Sequence, residues 1–166
     1  MPTLYNKQAK NQNAGYTHGM TLVEYKKASL KYAPLKSFAA GIELMGHEVK
    51  SLRAKQGSLE GARVVVRGGE AWLMGATIPP YQAKNAPSNY DSERSRRLLL
   101  AKHEIAELTD AEGKKGLTIV PFEVYTDHGL IKIRVSIVRG KGKRDRREDL
   151  KKREAYKEAA RVLKRG

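Results

Sequence analysis

The clearest pattern in the chain is the alternation from Leu130 to Val138, where Ile131, Ile133, Val135 and Ile137 fall on one face and Lys132 and Arg134 on the other. That is the signature of a half-buried strand. Leu117 to Tyr125 precedes it with the same β-rich character, and Asp127-His128-Gly129 between the two predicts a hairpin. A second hairpin is predicted over Ala62 to Ile78, whose apolar arms flank Gly68-Gly69, a pair that tolerates positive φ. Phe38 to Leu44 reads as a further strand. Helical spacing is scarcer. Glu48 to Lys55 sets Val49 and Leu52 three apart, toward the body, with Lys50 and Arg53 nearer solvent. Ser95 to Leu108 predicts a second helix, with Leu98, Leu99, Ile105 and Leu108 on one broad face and Arg94, Arg96, Arg97, Lys102 and His103 around its margin.

Between these elements, residues 1–20 are polar and follow neither period, so a flexible arm is expected there. Pro34 biases Ala33 toward an extended conformation and predicts a boundary, and Pro79-Pro80 ends the first hairpin before a polar loop over residues 81–95. Residues 21–139 are expected to form one β-rich RNA-binding domain. Residues 140–166 form a basic tail whose few apolar residues, Leu150, Tyr156, Ala160 and Leu163, cannot hold an isolated helix, so it is expected to be disordered when free and helical once its charge is neutralised. The fold class expected is mainly β: a small closed antiparallel barrel of the oligonucleotide-binding type, with five or six strands and two small helices, since closure hides the edge strands.

Charge then points to a partner. The 166 residues hold 33 Lys plus Arg against 18 Asp plus Glu, a net charge of +15 at pH 7, and about half of it lies in the tail. Such an excess attracts phosphate and speeds encounter with nucleic acid. A content of 40% hydrophobic residues is enough for one core without a metal or disulfide staple, and zero cysteines fit a reducing compartment, so the cytoplasm is expected. No apolar run reaches bilayer length, and Met1 to Lys7 lacks the apolar block of a secretory signal, so neither membrane nor export is expected. A monomer is expected.

Catalytic patterns are missing. His18, His47, His103 and His128 are scattered and give no metal-ligand spacing, and Gly68-Gly69 does not meet the spacing of a phosphate loop. Asp91 and Glu93 lie near Arg94 without a third acidic partner for a nuclease site. No enzyme, metal or cofactor is expected.

Several short stretches, in order, carry a resemblance. They are Gly46-His47-Glu48-Val49-Lys50-Ser51-Leu52-Arg53, Gly69-Glu70-Ala71-Trp72-Leu73, Ile78-Pro79-Pro80-Tyr81, Tyr90 to Leu100, and Gly140-Lys141 with Asp145-Arg146-Arg147. Over about residues 38–165 the chain resembles the SmpB family, the protein partners of transfer-messenger RNA in bacterial ribosome rescue. The resemblance implies a six-stranded oligonucleotide-binding barrel with about three helices, bound to the tRNA-like domain of that RNA. It also implies delivery to a stalled ribosome, where the tail occupies the empty mRNA channel against small-subunit rRNA. Family positions for RNA contact fall on the Glu48 to Arg53 segment, Leu99 and Lys132. Departures occur where the family carries Asn, His and an acidic residue, at Tyr25, Leu30 and Lys31 here, and at Ala39 and Arg144.

Charge and resemblance together select Glu48, Lys50, Ser51, Arg53, Arg94, Arg96, Arg97, Leu99, Lys132 and Arg134 for RNA, and Lys141, Lys143, Arg144, Asp145, Arg146, Arg147, Lys151, Lys152 and Arg153 for the ribosome. Some roles stay open at this stage. Glu48 either orients Lys50 and Arg53 or accepts a hydrogen bond from RNA; Leu99 and Trp72 read first as core; and Tyr81 and Tyr90 are loop packing or base stacks. Asp145 is a solubilising spacer or fixes the arginines around it. The alternative function is a general RNA-binding or ribosome-associated structural protein.

Overall fold

The structure is a computed structural model and describes residues 19–165. Seven antiparallel strands form one sheet: β1 (Thr21–Glu24), β2 (Tyr32–Ile42), β3 (Arg63–Arg67), β4 (Glu70–Met74), β5 (Arg96–Leu99), β6 (Leu117–Asp127) and β7 (Leu130–Gly140). Their order across the sheet is β1-β6-β7-β2-β5-β4-β3. The helices are α1 (Ala28–Lys31), α2 (Gly46–Arg53), α3 (Lys102–Glu112) and α4 (Lys143–Arg165), and Ala83–Asn85 makes one 3-10 turn. The expected arm lies outside the described residues except for its end, where Gly19 N–H donates to Thr126 O at 2.8 Å.

Both predicted hairpins form. Gly68 and Gly69 take φ of 60° and 74°, and His128 and Gly129 take 48° and 79°. Paired left-handed residues are what a tight two-residue hairpin needs to match the strand twist. β2 and β7 then pair over nearly their whole length, putting Phe38 opposite Val135 and Ala40 opposite Ile133. These four side chains are buried with Val64, Val66, Ala71, Leu73 and Leu98, while Leu52 of α2 and Leu108 of α3 close the core from outside the sheet.

The expected closed barrel is not formed. β1 and β3 are the two edges of the sheet and do not pair with each other, and there are seven strands rather than six. α3 packs against both β3 and β6. Its last residue, Glu112, accepts the Val66 N–H at 3.3 Å and the Arg67 guanidinium at 3.2 Å. A helix carboxylate thus satisfies an edge N–H, one of the ways a sheet blunts an open edge.

Two other expectations change. Pro34 does not end an element; β2 runs through it with a register shift between Pro34 and Lys36, a bulge being a place where a sheet tolerates a residue without an N–H. Ser95 to Leu108 is not one helix. Arg96–Leu99 is a strand with Arg96 and Leu98 inward and Arg97 and Leu99 outward, and the helix begins only after Ala101, whose N–H is taken by Glu104 at 2.8 Å. Adjacent Leu98 and Leu99 fit a wide helical face on paper, but their period is two.

Ile133 is fully buried at the centre of this sheet. Replacement by Ala should cost about 3 kcal/mol in urea denaturation, as large-to-small core changes do.

Candidate nucleic-acid interface

Glu48 is the charged centre of the region that α2 joins to the loop before β5. It is completely buried and accepts six hydrogen bonds: from Met45 N–H (2.8 Å), Tyr90 Oη (3.0 Å), both Nε and Nη2 of Arg94 (2.9 and 2.6 Å) and both Nε and Nη2 of Arg96 (3.0 and 2.8 Å). The bond to Met45 also caps the first turn of α2. Burial alone would push the Glu48 carboxyl up, but the hydrogen bonds from Arg94, Met45 and Arg96 outweigh it and hold the carboxyl down to about 2. Arg96 is equally buried, and its remaining donors go to the carbonyls of Ala76, Ser92 and Arg94 at 2.9–3.0 Å.

This changes the reading of several selected residues. Glu48 orients neither Lys50 nor Arg53; it ties Arg94, Arg96 and Tyr90 to the start of α2. Arg96 presents no face to solvent. Ser51 is buried, its hydroxyl donating to Pro79 O at 2.5 Å. Tyr90 is loop packing: its hydroxyl bridges Glu48 and Ile78 O, and its ring stands edge-on to His47 at 4.4 Å. Tyr81 is exposed, and Trp72 is only half-buried.

The exposed members of the set meet on the outer face of the sheet. Gly41 pairs with Leu99 on one side and with Lys132 on the other, so residues distant in sequence form one cross-strand row, Leu99-Gly41-Lys132. Leu99 is 50% exposed, against its expected place in the core. It leans over Gly41, where an added Cβ would lie 3.1 Å from the Leu99 Cβ. Beside this row, the Arg53 guanidinium donates to Gly129 O at 3.3 Å, joining exposed α2 to the tip of the β6–β7 hairpin. Lys50 is exposed on the same helix. Lys132 pairs with Asp127 at 2.6 Å, and Arg134, one pleat on, pairs with Glu123. Arg97 bridges Glu43 and Glu70, each at 2.8 Å.

The tail starts from a fixed anchor. Lys141 N–H donates to Lys31 O at 2.9 Å, while its ammonium reaches Ser29 O at 2.8 Å and Asp149 at 2.5 Å. Arg153 donates to the Ser29 hydroxyl at 2.6 Å, and Arg146 returns to Lys141 O at 3.0 Å. Lys143, Arg144, Arg147, Lys151 and Lys152 are exposed, Arg144 within 3.5 Å of Glu148. Asp145 stands in the first turn of α4, where the helix dipole favours a carboxylate. Among the described residues no group of three or more His, Asp and Glu could hold a metal. No described helix is long and apolar enough to cross a membrane.

Replacing Glu48 by Gln leaves the buried Arg96 guanidinium and the half-buried Arg94 guanidinium with a neutral partner, and should cost about 3–5 kcal/mol of stability at pH 7. Because the folded carboxyl is depressed, its contribution is fully present above the unfolded value of about 4.3 and is lost as pH falls toward 2. Denaturation of both proteins from pH 7 to 2 should therefore show the difference shrinking below about pH 4.

Comparison with known proteins agrees with this geometry. The family model described as SmpB protein matches residues 22–165. The SsrA-binding protein of Thermosynechococcus vestitus is 40% identical over 143 residues, covering 86% of this chain and 94% of its own. That of Chlamydia muridarum is 41% identical over 144 residues, covering 87% and 95%. A chain of the solved structure "tmRNA-SmpB: a journey to the center of the bacterial ribosome" superposes with a TM-score of 0.63 at 36% identity, covering 79% of this chain and 95% of that one. With a family model spanning nearly every described residue and relatives of near-equal length, the chain belongs to the SmpB family of SsrA-binding proteins.

Proposed function

We propose that this protein binds the tRNA-like domain of transfer-messenger RNA and helps deliver it to stalled ribosomes for trans-translation, making and breaking no bond itself. Family membership supports the activity, and the Leu99-Gly41-Lys132 row supports its location, since it places an exposed leucine and a lysine side by side on a rigid sheet. On this reading Lys50, Arg53, Leu99 and Lys132 touch RNA, with Arg97 and Arg134 on the flanks. Glu48, Ser51, Arg94 and Arg96 act from beneath by fixing α2 against the loop before β5. A wide, shallow RNA surface suits such contact, because it is read by shape, phosphate and 2′-hydroxyl rather than by base edges.

The tail has the second role. Beyond its anchor, α4 leaves the body with Tyr156, Val162 and Leu163 between 64% and 83% exposed, on a helix otherwise crowded with cations. Those apolar residues contribute nothing to the body. Small-subunit rRNA along the vacant mRNA channel is the partner proposed for this helix. The protein acts as a monomer in the bacterial cytoplasm, where the ribosomes are.

Binding to the tRNA-like domain, ordinary tRNA and a duplex at near-physiological salt tests the first role. The tRNA-like domain should be preferred, and equal weak binding to all three would leave only a general basic RNA binder. Leu99→Ala should weaken that binding about tenfold, with a melting temperature within a few degrees of wild type because the side chain is exposed. Lys50→Ala should lower the salt slope by about one unit. Truncation after Gly140 should keep the preference for the tRNA-like domain, lower overall RNA affinity and its salt slope through loss of the tail's cations, and abolish tagging of stalled nascent chains; retained tagging would sink the tail's role.

A further inference from the structure

The cations beside the RNA row on the outer sheet face do not stand bare. Around the row, the cations Arg97, Lys132 and Arg134 are met by four carboxylates, Glu43, Glu70, Asp127 and Glu123, so this part of the face is compensated in a protein of net +15. Asp127 is the carboxylate nearest the row. One of its oxygens lies 2.6 Å from Lys132 Nζ and the other 2.7 Å from Nδ1 of His128, an outward-pointing residue of the hairpin tip whose φ is 48°. The neighbours of Asp127 also hold its carboxyl below the usual range, first Lys132 and then His128, so it is a carboxylate throughout the neutral range.

A salt bridge of this length is a dipole to anything further away. Its field falls faster than that of a bare ammonium, and within about 8 Å of ionic screening little of it reaches an approaching phosphate. Lys132 therefore attracts no backbone from a distance. It contributes only when an RNA surface fits closely enough to place a phosphate or 2′-hydroxyl beside it, and flat or badly shaped RNA gains nothing from it while meeting the repulsion of Asp127.

We propose that Asp127 is a specificity-determining residue of the RNA face, masking Lys132 so that binding there depends on shape rather than on charge. This rests on the reading that the face binds the tRNA-like domain. It assigns the selectivity of a strongly basic protein to an acidic side chain, a case of discrimination by repulsion of the wrong partner. The bare cations of α2 and the tail supply attraction; the compensated face supplies choice.

The test is Asp127→Asn in the full chain, with affinities for the tRNA-like domain, ordinary tRNA and a duplex measured across a salt series. Ordinary tRNA and duplex should tighten about fivefold, with a salt slope steeper by about one unit, while the tRNA-like domain changes less than about twofold. In a Lys132→Met background the same substitution relieves only the repulsion of Asp127 and unmasks no ammonium, so ordinary tRNA and duplex should gain less than they do beside Lys132; an equal gain in both backgrounds would mean a general change in surface charge and overturn the proposal. Weaker binding to all three RNAs in Asp127→Asn would make Asp127 an orienting group, and an unmoved selectivity ratio would remove the proposal outright. Wild-type protein without preference for the tRNA-like domain would sink the RNA reading itself, a different result from either. Thermal melting of both variants, expected within a few degrees of wild type, guards against loss of the fold.

Discussion

One buried carboxylate fixes the geometry on which the proposed RNA face depends. Glu48 sits in the first turn of α2 with both oxygens saturated, and its donors come from α2 itself, from the loop at Tyr90, and from two arginines at the entry to β5. A carboxylate in that position would be intolerable alone; two guanidiniums and a helix N–H make it stable and hold it ionised. The consequence reaches further than its neighbours. β5 leaves this cluster with Arg96 locked inward, which by strand alternation sends Arg97 and Leu99 outward, and Leu99 then lies over Gly41 beside Lys132. Moving Glu48 would shift the helix that carries Lys50 and Arg53 and the strand that carries Leu99 together.

Charge is divided in the same structural terms. In the body, Arg94, Arg96, Arg97, Lys132 and Arg134 are each within ion-pair distance of a carboxylate. In the tail, helix α4 packs its acidic residues too thinly to offset its cations, and only its first turns touch the body. The net charge of the sequence therefore overstates the attraction exerted by the sheet and understates the difference between its two regions. Long-range steering belongs to α2 and the tail.

How much of this was legible in the sequence depended on how local the cause was. The Gly68-Gly69 and Asp127 to Gly129 turns are set by neighbours along the chain, and both hairpins formed where predicted. Strand alternation places Lys132 on the outer side of β7, where the structure has it. Glu48 and Arg96, in contrast, are 48 residues apart, and nothing near either one shows that the two cancel; an arginine among arginines reads as surface. β5 was hidden because Leu98 and Leu99 satisfy a helical stripe as well as a strand, and only the burial of Arg96 decides between them. The open sheet is just as remote from any local signal: its edges β1 and β3 do not pair, and Glu112, 46 residues from Val66, takes an N–H of the β3 edge.

The tail joins these two kinds of information. Lys141 is selected by charge and resemblance for the ribosome, yet it is the most body-bound cation of the segment, 15% exposed and shared between Ser29 O and Asp149. Its position at the end of β7 gives the helix a fixed origin, and Arg153 reaching back to Ser29 adds a second point some three turns along. Two anchors on α1 set a direction, whereas one would leave a swivel. On the proposed role, a helix that enters a channel while its body holds an RNA needs its origin to be constrained relative to that body, and the exposed cations beyond the anchors are then placed to meet phosphate.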